Sequence, residues 1–174
     1  MPMLDRIDRC IAALALTVAW LMLLVMIGTR TFDIVAGQFM RTPSGLLALY
    51  ESRAFMFLVL FGLAYGYVSN AHVRVDILRE RVSPRFRAWI EIGGGVLALL
   101  PLSFLVVLLS LPMIRSDYDI GAPAWILFGL PYGWAVKAMM PIGFALLGLS
   151  GLTAIMRNAL FLAGRVPDPE PARR

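Results

Sequence analysis

The chain has 174 residues, 60% hydrophobic and 16% charged, with a net charge of +5 and a mean hydropathy of +0.79. A water-soluble domain of this length needs more polar surface, so lipid is the solvent for most of the chain. One cysteine, Cys10, excludes an internal disulfide and multi-cysteine metal centres, and one histidine, His72, excludes bis-histidine haem ligation within a single copy.

A mixed-charge head carrying Asp5, Arg6, Asp8 and Arg9 precedes an apolar run over residues 10–28. The run is long enough to cross a hydrocarbon core about 30 Å thick and longer than the ~7–15-residue centre of a signal peptide. It predicts a retained first helix over about 10–30. Residues 31–45, punctuated by Gly37, Pro43 and Gly45, predict a loop. A second crossing follows over about 46–69, with Glu51 and Arg53 in its first turns and a Gly62/Gly66 pair that permits close helix approach.

The polar interval 70–87 carries Arg74, Arg79, Arg81, Arg85 and Arg87. Ser83-Pro84 is a helix start, a serine N-cap with proline at the first helical position. The third helix is expected over 84–114, its amphipathic first turns lying in the membrane interface, with Pro101 and the Gly93–Gly95 triplet as places to bend. A second loop, 115–132, leads to a fourth crossing over about 133–157 that carries Lys137, Pro141 and three candidate packing glycines, Gly143, Gly148 and Gly151. The proline-punctuated tail, 166–174, is expected to be disordered. Residues 1–165 then form one all-α membrane domain of four transmembrane helices.

Arginine placement orients it. Head, middle loop and tail hold eleven arginines, whereas the segments on the other side hold four: Arg30, Arg41, Arg53 and Arg115. The positive-inside rule therefore places both termini and the middle loop in the cytoplasm. Because the basic residues adjoin apolar runs, anionic lipid headgroups are the expected charged partner rather than nucleic acid.

Few side chains suggest chemistry. His72 and Asp76 share a segment with Arg74 but have no nearby nucleophile, so a polar cluster at the inner boundary is expected, and no catalytic, cofactor or metal site. Asp117 and Asp119 are expected to be solvated. Glu51 and Lys137 are intramembrane charges that need partners: each other, or for Glu51 one of Arg30, Arg53 and Arg115.

These residues resemble a family. A carboxylate opening helix two, an apolar run with glycine, then Ala71-His72-Val73-Arg74-Val75-Asp76-Ile77-Leu78 is similar to the small four-helix membrane subunit of tripartite ATP-independent periplasmic (TRAP) transporters. Leu130-Pro131-Tyr132-Gly133-Trp134 and Pro141-Ile142-Gly143-Phe144 extend the resemblance over roughly residues 5–157. That family often opens helix two with paired acids, whereas here Tyr50 precedes Glu51. The resemblance implies an inner-membrane subunit, not an enzyme, that binds a large multi-helix permease. The permease moves an organic acid inward, usually with sodium, after a periplasmic binding protein has captured it. Two other readings stand beside it: a self-sufficient homodimeric transporter using Glu51, and a membrane-embedded lipid-modifying enzyme using His72 and Asp76.

Overall fold

The computed structural model describes residues 2–39, 44–69, 83–121 and 133–167. Its elements are four helices: α1 (Pro2–Phe39), α2 (Ser44–Val68), α3 (Pro84–Asp119) and α4 (Gly133–Leu162). Among the described residues, α1, α3 and α4 are long and apolar enough to cross a membrane. Several hydroxyls inside the helices are satisfied locally, Thr17 donating to the Ala13 carbonyl, Ser52 to Ala48 and Ser110 to Val106, each at 2.6–2.8 Å, whereas the buried Ser103 hydroxyl of α3 has no hydrogen-bond partner. That back-bonding lets polar residues sit in lipid.

Two loops expected from composition are partly helical. Residues 31–39 continue α1 and residues 115–119 continue α3. Gly37 is tolerated because helix propensity is a weak prior and Phe32, Ile34, Val35 and Phe39 keep the segment apolar. At 1.5 Å per residue the 38 residues of α1 extend about 57 Å, well beyond a ~30 Å core. Leaving lipid does not end a helix. A left-handed glycine does: Gly121 (φ 59°) follows α3, and Gly164 (φ 71°) follows α4, where the Arg165 N–H reaches back to the Leu160 carbonyl at 3.0 Å.

α3 starts where Ser83-Pro84 predicts, with the Phe86 N–H donating to Ser83 Oγ at 3.4 Å. The break expected around Pro101 takes the form of a π-turn over Gly95–Leu99, in which the Leu100 N–H reaches the Gly95 carbonyl five residues back. Pro101 has no N–H and its ring crowds the preceding turn, so the widened turn absorbs the mismatch just before it.

The four helices pack side by side in a definite order. α2 lies between α1 and α4, and α3 packs along the other side of α4. The core gathers on α2: Phe57, Leu60, Phe61 and Ala64 pack with Ala15 of α1 and Leu147 of α4. Ala15 and Ala64 are fully buried, small residues that let helices approach closely where lipid supplies no hydrophobic drive. The α3–α4 seam is a set of notches. Leu99 of α3 lies against Gly151, Ser103 against Gly148, and Ile155 of α4 against Gly95.

Candidate functional site

Among the described residues, three groups of charged side chains each join two helices. In the first, Arg30 of α1 donates to Glu51 of α2 at 3.2 Å and lies 3.9 Å from Asp33 one turn on. In the second, Lys137 of α4 meets Asp117 of α3 at 2.6 Å. Tyr118 and Trp134 lie edge to face beside that pair, ring centroids 5.8 Å apart. Glu51 and Lys137 therefore take separate partners.

Asp117 corrects an expectation. Rather than solvated, it is buried, with 8% of its surface exposed. The reason is hairpin geometry: Asp117 lies two residues before the end of α3, and Lys137 one turn into α4, so antiparallel packing brings them level. Both residues flank the connection between Asp119 and Gly133, a signal that can be read once α3 is known to reach Asp119.

The third group had no such signal. Asp5 and Asp8, three residues apart on one face of α1, both meet Arg157 near the end of α4, at 2.7 and 2.6 Å. Thr153 donates to Asp8 at 2.7 Å. These contacts tie the start of α1 to the end of α4, between residues 145 to 152 positions apart in the chain.

A cavity of about 300 Å³ lies between α1 and α4 over α2. Met22 and Val25 of α1, Ala54 and Phe57 of α2, and Val136 and Met139 of α4 line it. Tyr50 and Arg53 line its end nearer the start of α2.

The candidate packing glycines divide. Gly143 accommodates the Leu60 side chain of α2, and Gly148 lies against Ser103, where an added Cβ would stand 3.0 Å from that residue's own. Both serve contacts within the chain. Gly62 has open space beside it, and Gly66 is half-buried in the same helix. His72, Arg74 and Asp76 lie outside the described residues. Among the described residues, no group of three or more His, Cys, Asp or Glu could hold a metal. Chemically, the pairs between helices fix helix register, with Glu51, Asp117, Asp5 and Asp8 each sharing charge with a cation on another helix.

The family model described as "Tripartite ATP-independent periplasmic transporters, DctQ component" matches residues 26–160. The match spans Arg30–Glu51, Asp117–Lys137 and Arg157, and leaves out Asp5 and Asp8. No curated protein and no solved structure matches the chain.

Proposed function

The chain belongs to the DctQ family, the small component of TRAP transporters, and on that premise we propose that it scaffolds a large multi-helix permease for ion-coupled uptake of an organic acid. The match over residues 26–160 carries this reading. A soluble periplasmic binding protein delivers the acid, the permease carries it across the inner membrane, and this chain holds the permease and presents a docking surface. α2 crosses the membrane with the other three helices, both termini lie in the cytoplasm, and the first turns of α3 lie in the cytoplasmic interface among anionic headgroups. His72, Arg74 and Asp76 form a polar cluster at the same boundary.

Uncovered apolar surface supports a partner in the membrane. In the most apolar 18-residue windows of α1 and α3, only 11% and 6% is buried. Gly62, with nothing within 4 Å of an added Cβ, offers a place for another helix to approach closely. Gly62→Leu should leave the chain inserted while lowering co-purification of the permease roughly tenfold, the consequence of about 1–3 kcal/mol of overpacking at a helix contact. Co-purification at the wild-type level would move the interface to another face. The reading of Glu51 as a coupling carboxylate is less well supported, because Arg30 already holds it at 3.2 Å.

The orientation has its own test. Ser83 and Ser116 are exposed and lie at opposite ends of α3. In a Cys10→Ser background, a cysteine at 83 should react with an impermeant thiol reagent only after the membrane is opened, and one at 116 from the periplasm. Reaction of both from the periplasm would overturn the topology.

A further inference from the structure

The cavity between α1 and α4 has a chemistry that the subunit reading does not use. Its lining is apolar, but Arg53 stands at one end, and among the described residues Arg53 has no ion-pair partner. Neighbouring acids are engaged elsewhere: Glu51 and Asp33 by Arg30, and Asp117 by Lys137. Glu51 and Arg53, two residues apart, lie on different faces of α2 and do not face each other.

An arginine in a membrane helix is costly without an anion or access to headgroups. The cavity is open at its mouth and its lining is almost wholly apolar, and in a bilayer the molecule at hand to fill it is lipid. At about 300 Å³ it lies at the lower end of ligand-pocket sizes, roughly 300–1,000 Å³. Both ends of a phospholipid are matched. Met22, Val25, Phe57 and Met139 offer a surface for an acyl chain, and a guanidinium binds phosphate oxygens through paired N–H donors.

We propose that this cavity is a phospholipid site: one acyl chain wedges between α1 and α4 over α2, with its phosphodiester held by Arg53. The occupant comes from the leaflet at the Glu51 end of the helices. The Arg157 contacts with Asp5 and Asp8 tie α1 to α4 at the opposite end, so the lipid acts as a spacer between α1 and α4 at the cavity. The inference rests on the chain being a membrane protein and not on which permease it serves.

The test uses the full chain, taken from nanodiscs of phosphatidylethanolamine and phosphatidylglycerol into mild detergent, and native mass spectrometry to count bound phospholipid. The wild type should retain about one per chain, and Arg53→Gln should lower retention roughly tenfold, the size of one lost charge-assisted contact. Ala135 of α4 also lines the cavity, and Ala135→Phe fills it with Arg53 intact and should lower retention similarly. Arg115→Gln removes another exposed cation that has no ion-pair partner among the described residues, but one outside the lining, and should leave retention unchanged. Circular dichroism identifies any variant that fails to fold, and Arg53, being exposed, is the substitution that leaves packing intact. Equal retention in wild type and Arg53→Gln overturns the proposal. So does loss of the lipid on assembly with the permease together with cross-linking of a cysteine at 135 to that subunit, which would make the cavity a protein contact.

Discussion

Gly151→Leu should detach α3 from α4 and destabilise the folded chain by about 2 kcal/mol, within the range for overpacking a close contact. The Leu99 side chain occupies the place a Cβ at 151 would take. α3 has no second helix to fall back on, because its extensive packing is with α4. Association in lipid depends on this kind of contact, since separating two apolar helices exposes them only to other hydrocarbon. The helix-propensity gain on replacing glycine, about 0.8 kcal/mol, offsets part of the loss but not the separation. Unfolding of the detergent-solubilised chain gives the comparison. Gly62→Leu, at a position with open space, should not destabilise the chain and should gain up to about 0.8 kcal/mol from helix propensity. Equal stabilities for the two variants would mean that the α3–α4 seam does not hold the helices together.

Lys137→Met should cost about 2–3 kcal/mol. Breaking a buried ion pair by removing one partner typically costs ~3–5 kcal/mol, because the other charge is left uncompensated. The smaller figure here reflects the geometry: the Asp117 side chain is 12% exposed, but that of Lys137 is 45% exposed, so solvent already screens one partner. Adding Asp117→Leu should restore most of the stability, since a well-packed apolar pair often equals or exceeds a buried ionic one. A thermodynamic cycle over the two single and the double substitution measures the coupling. If the two losses simply add, Lys137 stabilises through its own packing and the 2.6 Å contact contributes little.

The parts of this molecule that were legible in the sequence are those set by hydropathy and local chemistry. Long apolar runs dictated helices, and Ser83-Pro84 marked the start of α3. The Ala71–Leu78 signature pointed to the family whose model matches residues 26–160, although that segment lies outside the described residues. Helix ends were not legible, because hydropathy reports where the chain leaves lipid and not where its hydrogen bonding stops. α1 runs on past Arg30 to Phe39, and α3 and α4 run on to Asp119 and Leu162.

Partners of the charges were legible only in proportion to how local they are. Arg30 was among the candidates for Glu51, and hairpin symmetry supplies Asp117 for Lys137 only once α3 is known to reach Asp119. The meeting of Asp5 and Asp8 with Arg157 depends on α1 returning to α4 after three intervening connections, and no periodicity encodes that. Glycines behaved likewise: composition marks Gly62, Gly143 and Gly148 equally, and only the helix order separates the open position from the two in contact.

Proteoliposomes distinguish a scaffold from a transporter. Uptake of the acid captured by the binding protein should be absent with this chain alone, appear when permease, chain and binding protein are combined under an ion gradient, and be lost when the chain is omitted. Uptake by the chain alone, or undiminished uptake without it, would contradict the assignment of this protein as the subunit on which the permease is built.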